Sequence, residues 1–207
     1  MSAPSRPPPK PWPMKWVVAV ILVFVVGYTL VNIFFRKPGQ PHRPYEDMNN
    51  RVTNRRLLDA GWQRLALDTR RPAENPQGIG ATADVRRGAS GLGVEFVQAF
   101  AVAPKLPAAI DRVTAPASIA QGVDCTVYFT ASLGDQKKQI GDITLYRRRQ
   151  ELVFLAELEA LPGTGLLSRW NDANYWLSFP TLDLPPGRYT ARLLAQGPAA
   201  LWEFEVR

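Results

Sequence analysis

Residues 125–131 read Cys-Thr-Val-Tyr-Phe-Thr-Ala, which sets Cys125, Val127, Phe129 and Ala131 against Thr126, Tyr128 and Thr130. A period of two puts alternate side chains on opposite faces of a strand, so this stretch predicts a β-strand with one face in a core. The pattern recurs on both sides. Leu152, Phe154, Ala156 and Leu158 share a face over 152–158, and shorter candidates lie at 110–113, 141–146, 175–179, 189–194 and 202–206. Val94, Phe96, Phe100 and Val102 all fall on even positions and read as a strand-like lead-in. About seven strands separated by turn residues predict a mainly β domain over 94–207, an antiparallel sandwich of two sheets.

Leu184-Pro185-Pro186-Gly187-Arg188-Tyr189 places a glycine turn two residues ahead of a tyrosine that opens a strand. This resembles the tyrosine corner of immunoglobulin-like and fibronectin type III domains. Strand 189–194, a turn at Gln196-Gly197-Pro198 and strand 201–206 then read as the closing hairpin of such a domain. The resemblance covers residues 104–207 and implies an immunoglobulin-like β-sandwich; it implies a fold and not an activity.

Ahead of this domain, Trp16 to Phe35 carry no charge. As a helix they would cover roughly 30 Å, the thickness of bilayer hydrocarbon. A cleavable leader has an apolar core of only about 7–15 residues with small residues at the cut, whereas this one is longer and leads into Phe34-Phe35-Arg36-Lys37-Pro38. A buried helix of a soluble protein would show a polar stripe, and only Thr29 and Asn32 interrupt this run. The expectation is an uncleaved transmembrane helix over 16–36, making a single-pass membrane protein. Lysines and arginines flank both ends, so their count does not orient it. The layout, a Pro-rich tail over 1–15 followed by a large β part, points to a cytoplasmic N-terminus and a periplasmic or exoplasmic C-terminal domain, on the inner membrane if the source is bacterial.

The net charge of +7 is unevenly spread. Residues 1–15 hold three bases and no acid, residues 36–71 hold nine bases against four acids, and the remainder sums to −1. The excess therefore sits beside the span, where anionic lipid head groups are the counter-charge expected and a nucleic acid is not. Arg36, Lys37, Arg43, Arg51, Arg55 and Arg56 are the membrane-surface candidates. Pro38, Pro41 and Pro44 make a spacer, and Tyr45, Met48, Val52, Leu58, Trp62 and Leu65 predict an amphipathic helix over 45–67 within a juxtamembrane segment 37–71. Two readings of that stripe stand side by side: it lies on lipid or a partner helix, or it packs on the protein's own domain. Residues 72–93, rich in Gly, Ala and Pro, read as a linker.

Catalytic motifs are not met. Gly78-Ile79-Gly80-Ala81-Thr82-Ala83 matches a dinucleotide fingerprint, but Glu74-Asn75-Pro76-Gln77 before it is no strand. Gly88-Ala89-Ser90-Gly91-Leu92 lacks the final glycine of a nucleophile elbow. His42 is the only histidine and Cys125 the only cysteine, so a histidine metal cluster and an intrachain disulfide lack material, and a catalytic triad on this chain would have only His42, a ring in the Pro-rich spacer whose expected role is a solvated one. Cys125, in phase with Val127 and Phe129, reads as a small buried hydrophobe. No enzyme activity and no cofactor are expected.

Two stretches suit recognition. Trp170, Asn171, Asn174, Tyr175 and Trp176 bring three aromatics and two amides together and would stack on a sugar or an apolar patch; ordinary sandwich packing is the competing reading. Arg147-Arg148-Arg149 lies between two strands, able to grip an acidic partner or to blunt a sheet edge as a solvated hairpin tip. The layout as a whole, one span, an exported immunoglobulin-like domain, Pro186-Gly187-Arg188-Tyr189 and a final hairpin, is similar to FixH-type accessory proteins of bacterial cytochrome oxidase assembly. That similarity implies a non-enzymatic accessory that binds or stabilises another membrane or envelope protein. The alternative is a glycan- or small-ligand-binding module using Trp170, Tyr175 and Trp176.

Overall fold

The computed structural model describes residues 13–35, 46–70, 81–161, 165–168 and 171–207. The chain forms two units, Met1–Pro44 and Tyr45–Arg207. In the first, α1 (Met14–Phe35) is a helix of 22 residues. Its window Met14–Val31 has mean hydropathy 2.3 and no residue buried, so it is long and apolar enough to cross a membrane. The Pro-rich tail up to residue 12, the spacer prolines, His42, Arg36, Lys37 and Arg43 lie outside the described residues.

The second unit is mainly β. One sheet runs β1 (Gln63–Leu65), β7 (Lys138–Arg148), β8 (Glu151–Ala160), β10 (Gly187–Leu193), β11 (Pro198–Val206), β3 (Val85–Ser90), with β5 (Ser118–Ile119) also on β11. The other runs β2 (Asp68–Arg70), β9 (Asp172–Phe179), β6 (Cys125–Ser132), β4 (Ala109–Thr114). Strand β6 alternates buried and half-buried positions along its whole length, as its period-two pattern requires. Its buried side chains meet those of the first sheet in one cluster that holds Val127, Phe129, Leu177 and Phe179 with Leu145, Phe154, Trp202 and Phe204. Phe154 and Phe179 bridge the sheets at 5.7 Å between ring centroids. This two-sheet body fits a β-sandwich, but the first sheet is mixed: β8 and β10 run parallel, as do β5 and β11. The all-antiparallel expectation is corrected there. The Tyr189 hydroxyl donates to the Pro185 carbonyl at 2.8 Å, the bond a tyrosine corner makes.

A second apolar cluster covers the outer face of the mixed sheet. Tyr146, Val153 and Leu155, the residues of β7 and β8 that face away from the inter-sheet core, pack with Leu57, Trp62, Phe96 and Ala99. Two helices supply the cover, α2 (Glu46–Asp59) and α3 (Val94–Ala99).

Three local expectations change. The helix predicted over 45–67 stops at Asp59, because Gly61 takes φ +83° and closes a Schellman motif. Trp62 N–H donates to Leu57 O and Gly61 N–H to Leu58 O, both at 2.9 Å. The chain then turns strand-like: β1 joins β7 and β2 joins β9, so eight residues add an edge strand to each sheet. The strand-like lead-in at 94–102 begins as α3 instead. Phe96 and Phe100 share a face in either geometry, and burial of Phe96 with Ala99 at i, i+3 selects the helix. Finally, residues 85–90, read as linker, form β3 along β11. It is a charged edge strand held mainly by main-chain pairing, so no apolar alternation announced it.

Replacing Gly61 by Ala puts a β-carbon in left-handed backbone, while the nearest atom, Arg148 Cδ, is 3.9 Å away. The cost is conformational, about 1 kcal/mol. Urea unfolding of the full-length protein in micelles is expected to show Gly61→Ala lowering the midpoint of the β domain; an unchanged midpoint would mean that α2 and β1 are not part of its cooperative unit.

Candidate interaction surface

The amide and aromatic candidates divide between the two faces of β9. Tyr175 is buried, 4% exposed, with its ring stacked on Phe129 at 5.4 Å and its hydroxyl against the Ile140 carbonyl at 3.5 Å. Trp176, next along the strand, is half-buried on the opposite face, where the Arg70 guanidinium lies 5.1 Å from its ring centroid. The pleat that separates adjacent residues forbids the two rings from sharing a groove, so the three-ring platform is corrected to core packing for Tyr175; Trp170 lies outside the described residues. Asn174 accepts a hydrogen bond from the Thr130 hydroxyl across the ladder at 2.8 Å, and the Asn171 carbonyl accepts from Leu133 N–H.

The arginine run is also largely spent inside the chain. Arg147 donates from Nε to Arg149 O at 3.1 Å and from Nη1 to Asp183 O at 2.6 Å, which ties the β7–β8 hairpin to the turn before β10. Arg148 binds Glu95 of α3 at 2.6 Å and Glu151 of β8 at 3.4 Å, and Glu151 also pairs with Arg192 of β10. Its guanidinium lies 4.4 Å from the Trp62 ring centroid. Only Arg149, exposed at the hairpin tip with φ +56°, keeps the solvated role read from sequence. The bonds of Arg147 and Arg148 correct the picture of three free cations.

This network of Glu95, Arg148, Glu151 and Arg192 was not legible as a site, since its members come from α3, β7, β8 and β10. Partial exposure limits each ion pair to about 0–1 kcal/mol. Its larger effect is geometric, because Arg148 presses on Trp62. That indole sits 4.9 Å from Phe96, is 2% exposed, and among the described residues its N–H has no hydrogen-bond partner. The cation above its face offsets part of the cost of burying that donor.

On α2, Thr53 and Leu57 face inward. Thr53 accepts from Ala101 N–H at 3.1 Å, and Arg56 reaches the Gln98 carbonyl at 3.5 Å. The reading in which this helix packs on its own domain therefore holds for the Thr53–Leu57 side. The stripe is corrected accordingly: Met48, Val52 and Leu58 are exposed, while Leu57 and the post-helical Trp62 are the buried members.

Cys125 is 1% exposed among the inter-sheet side chains, and burial pushes its thiol up to about 12 from 9.0. Among the described residues no group of three His, Cys, Asp or Glu is placed to hold a metal. Comparison with protein-family models, curated proteins and solved structures finds no match for this chain.

Three measurements check these assignments. Because the folded thiol holds its proton above the ordinary value, its contribution to stability is complete below pH 9 and declines as pH rises towards 12, by about 1.4 kcal/mol per unit. Cys125→Ala should flatten that decline in a pH series of urea midpoints, and iodoacetamide should label native Cys125 only after unfolding; rapid native labelling at pH 8 would contradict its burial. Trp62→Ala should cost about 3–5 kcal/mol, and in a double-mutant cycle Arg148→Ala should couple to it. Additive losses would mean that the ring and the cation act independently.

Proposed function

We propose that this chain is a single-pass membrane protein whose immunoglobulin-like β domain, on the periplasmic or exoplasmic side, binds or steadies another membrane or envelope protein without catalysing a reaction. The observation that carries the reading is α1, a span-length helix whose residues from Trp16 to Phe35 carry no charge, ten residues ahead of the β domain's first helix. Tethering raises the effective concentration of such a domain near membrane partners, so a modest interface suffices. The Tyr189–Pro185 hydrogen bond and the closing β10–β11 hairpin support the immunoglobulin-like assignment, although the parallel β8–β10 pair departs from its usual pairing. The layout similarity to FixH-type accessory proteins favours a role in maintaining or assembling a membrane complex. The glycan-binding alternative loses its support with Tyr175 in the core.

Photo-cross-linkers placed at exposed Val123, Arg149 and Leu182 of the full-length chain, activated in intact native membranes, test this. One reproducible protein adduct from at least one position is expected. Absence of any adduct at all three, with the protein present in the membrane fraction, would overturn the accessory reading.

A further inference from the structure

Both helices that cover the mixed sheet bury one side and leave the other bare. On α2, residues 48, 52, 55 and 59 recur at helical spacing with 51 and 58 beside them, opposite the buried Thr53 and Leu57. Met48 is 57% exposed and Leu58 62%; Arg51 and Arg55 are exposed between them, Asp59 is an exposed acid on that face, and Asp47 belongs to it by helical spacing, one turn ahead of Arg51. On α3, Phe96 and Ala99 point to the sheet, while Val94 and Val97, at 73% and 56%, point away from it. Both helices cover the outer face of one sheet, and each exposes the side chains it does not bury there. Isolated exposed apolar residues are ordinary, but apolar side chains gathered on one layer with arginines among them are not.

We propose that this outer face of α2 and α3 docks on the head-group region of the bilayer that α1 spans, with Met48, Val52, Leu58, Val94 and Val97 entering the interface and Arg51 and Arg55 pairing with anionic phospholipid. The inference rests on the reading of α1 as a membrane anchor. Three observations favour lipid as the occupant. Ten residues separate Phe35 from Glu46, and their fully extended reach of about 35 Å is the upper limit the chain sets between the span and α2. Of the five-charge basic surplus over residues 36–71, three lie in the stretch 36–45 that follows the span and two follow α2, whose own three arginines meet three acids; a base beside an anionic surface is worth on the order of 1 kcal/mol. On the exposed side of α2, Met48, Val52 and Leu58 offer apolar contact and Arg51 and Arg55 offer charge, so both the acyl boundary and the phosphates of a lipid surface would find partners there. Arg56, a membrane-surface candidate on sequence, lies off this face and bonds Gln98 instead.

The test uses full-length protein in vesicles containing nitroxide-labelled lipid, with single cysteines carrying a fluorophore at Val52, Val97, Val123 or Val23; native Cys125, buried, stays unlabelled. Val23 reports insertion of α1, and Val123, in the loop leading into β6, reports the part of the domain away from the helices. In vesicles with anionic phospholipid, quenching at 52 and 97 is expected to exceed that at 123 several-fold, and to fall towards the level at 123 on raising salt or introducing Arg51→Glu with Arg55→Glu. Quenching at 23 with none at 52 and 97 would overturn docking while leaving the anchor in place. No quenching at 23 would remove the anchor and docking with it. Equal quenching in zwitterionic vesicles would overturn the anionic assignment, and protection of 52 and 97 only in native membranes would assign the face to a protein.

Discussion

Trp62 is the point at which α2 is locked to the two sheets. Its N–H completes the Schellman turn on Leu57, its ring packs on Phe96 beneath the Arg148 guanidinium, and the next residue starts β1. A large buried side chain at the exit of a helix fixes the helix and the following strand together, because moving either opens a cavity whose cost grows with its volume. The chain then places β1 on one sheet and β2 on the other within eight residues.

That arrangement gives the mixed sheet two apolar faces. Strand β8 shows the consequence: Leu152 to Ala156 are all buried, where a one-sided strand would alternate. Leu152, Phe154 and Ala156 enter the inter-sheet core, while Val153 and Leu155 lie under the helices. The second sheet keeps the alternation of β6, since among the described residues no helix covers its outer face.

The inner strands were legible because their side chains obey the pleat: the candidates at 125–131, 152–158 and 202–206 fall inside β6, β8 and β11. The turn that opens β10 was legible from six residues around Pro185 and Tyr189. Strands β1, β2 and β3 were not, since edge strands of three to six residues rich in Arg, Asp and Gly are specified by the main chain of a neighbour rather than by their own pattern. Gly61 was the readable sign that the helix ends, its left-handed turn being worth more than the apolar spacing that continues to Leu65. The parallel placement of β10 on β8 and the convergence of Glu95, Arg148, Glu151 and Arg192 depend on long-range topology, which local spacing does not encode. Arg147 and Arg148 misled for the same reason: a run of charges looks solvated until the acids that meet it, distant in sequence, are brought alongside.

The central claim is that the strap of α2, β1 and β2 folds as one body with the two sheets. Hydrogen exchange of the full-length protein in a bilayer mimetic measures it most directly. The account predicts that the hydrogen-bonded amides of residues 57–70 exchange at the slow rates of β7 and β9. Fast exchange across 57–70 while β6 to β9 remain protected would contradict it.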